Sequence, residues 1–121
     1  MDDCIPPAIL PDGYEGKILL VTVGGDGIED TVVLRSGDIW HCEILCATEV
    51  EIRKYGIKDA RVHEAGGAWV RFYNDGTILI FGNSEEFGAC DKIFAAGLLR
   101  RLYPERTIHI ADWIDILVDY S

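Results

Sequence analysis

Basic charge is scarce in this chain. Its 121 residues carry 11 Lys+Arg against 21 Asp+Glu, a formal net charge of −10. A nucleic-acid surface needs a basic stripe or patch. The densest basic runs here are the pairs Arg53-Lys54 and Arg100-Arg101, so no nucleic-acid partner is expected. Long apolar runs are also missing. None approaches the roughly 18 residues of a membrane span, so no membrane partner is expected either. Cysteine is sparse: Cys4, Cys42, Cys46 and Cys90 include no Cys-x-x-Cys pair. That argues against a disulfide scaffold and against the usual spacing of structural zinc. Cys42 and Cys46, four residues apart, share a face if helical, and with His41 or Cys90 they form the weaker, zinc-binding alternative to small buried thiols. The Gly24-Gly25-Asp26-Gly27 run lacks the Lys and Ser/Thr of a phosphate-binding loop, and no Gly-x-Ser-x-Gly elbow occurs. No basic segment precedes an apolar one near the start, so no secretory signal, and reduced thiols in a cytoplasmic setting, are expected.

What is present suits a globular protein: 49% hydrophobic and 26% charged residues, in a length that fits one domain. Residues 1–13, with Pro6, Pro7 and Pro11, read as an extended arm, and 14–121 as a single domain. In 16–23, Ile18 and Leu20 fall on one face of a strand and Leu19, Val21 and Val23 on the other, the pattern of a central strand covered on both sides. A short strand is expected at 31–35. Ser36-Gly37-Asp38 then signals a helix start, and a helix from about 39 to 55 has Leu45, Ala47, Val50, Ile52 and Tyr55 inward. Residues 57–63 read as extended and broken by Gly66-Gly67. A hairpin follows, 68–73 and 77–81, about Asn74-Asp75-Gly76. A second helix is expected from about 89 to 103, with Ile93, Ala96, Leu99 and Leu102 inward, then strands at 107–110 and 114–118. These elements predict an α+β domain: one mixed, mostly antiparallel sheet of about six strands between two helices, the alternative being both helices on one face.

His41 stands at the expected helix start. Backbone N–H groups at a helix N-terminus attract anions, and the same positive end opposes a second positive charge on the ring. A neutral imidazole beside an anion site is the minimum equipment for general-base attack on phosphorus. An ordinary histidine near a helix end is the plainer alternative from position alone.

The surrounding residues add weight. Val33-Leu34-Arg35 followed by Trp40-His41-Cys42-Glu43-Ile44 resembles the histidine segment of the Janus/Ocnus family, the protein-histidine phosphatases. The resemblance continues at Lys17 leading its strand, at Gly66-Gly67-Ala68, at Gly82-Asn83-Ser84 with Phe87-Gly88, and at Tyr103-Pro104, covering about 14–113 in one order. It implies a six-stranded sheet between two helices and hydrolysis of phosphohistidine in proteins, or of a related small phosphoramidate, by a monomer or weak dimer without metal or cofactor. It places proton transfer on His41. It also implies a phosphate cradle of backbone amides around His41 and Ser84, at Cys42 and Glu86, with Lys17 and Arg35 as positive neighbours.

Two positions depart from the family pattern. Trp69 stands where the family has arginine, and Arg71, two residues on and on the same strand face, either supplies the charge or stacks on an aromatic neighbour. Glu85 and Glu86 replace small or apolar residues, and they are expected to point to solvent, away from a bound phosphate. The mechanism is either general-base activation of water by His41, the preferred form, or direct attack by its ring. The alternative function is a non-catalytic module for phosphorylated or basic proteins.

Overall fold

The computed structural model describes residues 5–37 and 40–111. Five strands and two helices are present among them: β1 Gly16–Gly25, β2 Ile28–Gly37, α1 His41–Arg53, β3 Arg61–Phe72, β4 Ile78–Phe81, α2 Lys92–Leu102 and β5 Ile108–Ile110. They form one mixed sheet in the order β2-β1-β3-β4-β5. β1 pairs antiparallel with β2 and β3, β3 with β4, and β5 runs parallel to β4. The further strand expected at 114–118 lies outside the described residues.

The alternation in β1 sets the layers. Ile18 and Leu20 join Ala68, Val70, Ile78 and Ile80 in a cluster completed by Ala95, Ala96, Leu98 and Leu99 of α2. Leu19, Val21 and Val23 join Val33, Ile44 and Ile52, the last two from α1. One helix therefore packs on each face. Each such buried aliphatic side chain contributes about 1.5–3 kcal/mol through lost water contact, so β1 anchors both halves of the core.

Several boundaries differ from expectation for identifiable reasons. β2 is longer than 31–35 because it pairs with β1 from Gly25↔Ile28 to Lys17↔Gly37. Ser36 and Gly37 thus end a strand, and α1 has Trp40 at its N-cap with no side-chain capping bond. Gly66-Gly67 does not break the chain. β3 passes straight through it, with a bulge against β1 between Leu19 and Val21 where Gly66 takes φ +90°. The arm is a strap: the Ile9 amide donates to the Leu34 carbonyl, the Leu34 amide to the Pro7 carbonyl, and Ala8 and Leu10 are buried. The Arg106 guanidinium grips Asp12 in a two-point ion pair.

The helix faces also shift. In α1 the buried residues are His41, Ile44, Thr48 and Ile52, while Val50 is exposed. The stripe contains two polar residues that an apolar pattern does not register. Thr48 satisfies its hydroxyl on the Ile44 carbonyl at 2.8 Å. α2 starts at Lys92 rather than near 89, because Gly88–Cys90 are bonded to Gly67 and Asp91 caps the helix through the Phe94 amide. Its inward residues are Ala95, Ala96, Leu98 and Leu99, and Ile93 and Leu102 face outward.

Candidate functional site

The site forms where α1 begins over the sheet. In β1, β2 and β3, residues Lys17, Leu19, Arg35, Gly37, Gly67 and Trp69 lie in two adjacent rows, Gly37–Lys17–Trp69 and Arg35–Leu19–Gly67. Strand alternation puts them on the face covered by α1. His41, the first residue of α1, is 4% exposed, and its Nε2 lies 3.2 Å from the Ala68 carbonyl. A carbonyl only accepts, so Nε2 carries the proton, and in the neutral ring Nδ1 keeps the lone pair.

Gly67 lets the ring sit there. A Cβ on Gly67 would lie 2.6 Å from His41 Cδ2 and 2.9 Å from Ser84 Cβ. The same glycine donates its amide to the Gly88 carbonyl and accepts from the Cys90 amide. It thus brings α1, the Ser84 loop and the segment 88–90 that leads into α2 to one point. Ser84 is 2% exposed, and its Oγ accepts from the Glu86 and Phe87 amides at 3.1 and 3.0 Å. Two further bonds link Ser84 and Gly88, so the loop backbone is closed on itself.

Glu86 leaves that loop and turns back to α1. Its Oε1 accepts from the Cys42 amide at 2.9 Å. Glu86 is exposed, as expected, but its carboxylate does not stand free in solvent: it also reaches the start of α1. The physical reason is the missing local cap: with Trp40 at the N-cap, the Cys42 N–H takes a charged acceptor from a distant loop. The same carboxylate bonds the Cys42 thiol and holds it above the ordinary thiol range, with burial and the nearby Glu43 charge adding to the effect. A thiol at a helix start is normally acidified; here the carboxylate acts in the opposite direction. Glu85 is exposed.

The arrangement offers a buried, oriented imidazole next to an amide that binds an oxyanion. The family assignment follows from the sequence that builds it. The model of the Janus/Ocnus family (Ocnus) matches residues 9–107. The chain belongs to the Janus/Ocnus family. No curated protein matches it.

The Janus/Ocnus chain brings together some of the residues singled out in its sequence and separates others. His41, Cys42, Ser84 and Glu86 meet at the start of α1. Lys17 is on the same sheet face, with Nζ 4.5 Å from the centroid of Trp69, whose ring stacks on Phe81. Arg35 is drawn elsewhere. It is buried, and Nε and Nη2 each lie 2.8 Å from Glu51, ten residues along α1 from His41. At 1.5 Å per residue that is about 15 Å along the helix. Arg71 pairs with Glu15 at 2.8 Å. The Glu86 and Phe87 amides of the Ser84 loop are turned onto Ser84 Oγ rather than outward. Cys90 is buried in the cluster under α2, on the other sheet face from His41, and among the described residues no three His, Cys, Asp or Glu side chains gather as a metal site. No helix among those residues is long and apolar enough to cross a membrane.

Sequence reading missed three participants: the Ala68 carbonyl, Gly67 as the seat of the ring, and Glu51 as the partner of Arg35. Two glycines inside an alternating strand are a signal for close approach of another segment, and that signal was available for Gly67.

Proposed function

We propose that this Janus/Ocnus protein hydrolyses phosphohistidine in proteins, or a related small phosphoramidate, with His41 as general base and no metal ion. One observation carries the reading: the His41 ring, fixed through Nε2 on Ala68, stands next to a Cys42 amide that already binds a carboxylate oxygen. In this reading a phosphoryl oxygen takes the place of that carboxylate oxygen. Nδ1 of His41 accepts a proton from water as the water oxygen bonds to phosphorus, and the P–N bond breaks. His41 Nδ1 passes that proton to the departing nitrogen, which leaves as neutral histidine, or as ammonia from phosphoramidate, so the leaving group needs no Lewis acid. Ser84 Oγ accepts two amide bonds and still has its O–H to donate to the phosphate. Lys17, on Trp69, supplies nearby positive charge. Arg35 serves the site by holding α1 through Glu51. The proposed setting is cytoplasmic.

The test is hydrolysis of a phosphohistidine peptide and of phosphoramidate, with EDTA present, by wild type and His41→Ala. Turnover survives the chelator and is lost in the variant. Undiminished turnover in His41→Ala would remove His41 from the mechanism. A second reading, a non-catalytic module for phosphorylated or basic proteins, is favoured by Glu86 occupying the Cys42 amide. Tight phosphopeptide binding without turnover would select it.

A further inference from the structure

Glu86 holds the amide that the phosphatase reading gives to substrate. The loop that carries it is closed by its own backbone: Ser84 and Gly88 exchange two hydrogen bonds, and Ser84 Oγ gathers the Glu86 and Phe87 amides. None of these bonds involves the Glu86 side chain, so the carboxylate can swing off Cys42 without the loop unfolding. Glu86 is exposed, so its release exchanges one charge-assisted bond for water. A carboxylate and a phosphoryl group cannot share one N–H, and the dianion gains more at the positive helix end. Once displaced, Glu86 lies with Glu85 and Glu43 around the mouth of the site, in a chain of net charge −10.

Resting on the phosphatase reading of this site, we propose that Glu86 is a carboxylate latch that competes with the substrate phosphoryl group for the Cys42 amide, and that its displacement selects phosphorylated sites flanked by Lys or Arg. A neutral or acidic flank leaves the displaced carboxylate unpaired beside a dianion, whereas a basic flank pairs with it as the phosphoryl group enters. Complementary charge of this kind gives selectivity more than raw affinity.

The experiment has two arms, neither of which needs turnover. In the first, inorganic phosphate is titrated into wild type, Glu86→Ala and Glu86→Gln, and the Cys42 amide is followed by NMR. Removing a charge-assisted competitor should tighten phosphate binding about tenfold in Glu86→Ala, with a smaller gain in Glu86→Gln, which keeps a neutral acceptor. In the second arm, two peptides with a non-hydrolysable phosphohistidine analogue, one flanked by Lys/Arg and one by Ser/Gly, are bound to wild type and Glu86→Ala. The preference for the basic flank should fall several-fold in the variant. Equal phosphate affinity at Cys42 in all three proteins would overturn the latch and leave the anion site standing. No response of the Cys42 amide in any of them would remove the site and the latch together. An unchanged flank preference would overturn selection by Glu86.

Discussion

The ring of His41 rests on Gly67 at a distance no other residue permits. A methyl group on Gly67 would lie 2.6 Å from Cδ2 and 2.7 Å from Nε2 of His41, and 2.9 Å from Cβ of Ser84. The glycine therefore seats the proposed base and the Ser84 loop at once.

Gly67→Ala is expected to destabilise the fold by about 2 kcal/mol, the usual penalty of overpacking, and to remove the hydrolysis attributed to His41. Gly97→Ala is the contrast. Gly97 lies inside α2 with open space at its Cβ, and alanine there should stabilise by up to about 1 kcal/mol through helix propensity. Urea unfolding of both variants checks the pair. Equal stability of Gly67→Ala and wild type would show that the ring has room to move.

Arg35 and Glu51 form a two-point ion pair between β2 and α1, with the arginine side chain 5% exposed and the glutamate 26%. Glu51→Ala leaves a buried guanidinium that donates, among the described residues, to the Leu34 carbonyl alone. The expected loss is about 3 kcal/mol, because the desolvated charge keeps its penalty and loses its partner. The double change Arg35→Leu with Glu51→Leu should recover most of it, since no charge then remains buried. Chemical unfolding of the two variants separates this from a phosphate-binding role, in which Glu51→Ala would leave stability near that of wild type.

The thiol of Cys42 reports on the carboxylate beside it. Glu86 raises its pKa, so the thiolate forms at higher pH than it would without the glutamate. Alkylation of Cys42 should accelerate in Glu86→Gln at mildly alkaline pH, because thiolate is the reacting form. The linkage has a definite sign. A pKa raised by folding contributes stability that is fully present below the unfolded thiol's value and is lost as pH rises through the folded one. Peptide mapping of alkylated protein across pH 7–10 measures the effect. Identical Cys42 rates in wild type and variant would mean that Glu86 does not rest on α1 in solution.

Much of the fold was legible in local pattern. The two-sided alternation of Ile18 to Val23 places β1 at the centre and calls for cover on both faces, and Asn74-Asp75-Gly76 between alternating runs makes the β3–β4 hairpin. These are properties of spacing and turn chemistry, which depend on near neighbours in the chain. The path of β3 through Gly66-Gly67 was not legible, because a glycine pair that ends a strand and one that admits another segment read alike until that segment is in place. The α1 stripe was obscured by His41 and Thr48, polar residues whose burial depends on partners, the Ala68 and Ile44 carbonyls, that only folding supplies.

By itself the sequence determined the two-faced central strand, the family and the position of His41 at a helix start, since each rests on residue order and periodicity. The tertiary structure decided which charges face that histidine. It sent Arg35 to Glu51 and Arg71 to Glu15, and it brought Glu86 to the amide of Cys42, 44 positions earlier in the chain. A charged side chain settles on the most favourable counter-charge or uncapped helix end within reach, and what is within reach is set by packing, not by order along the chain.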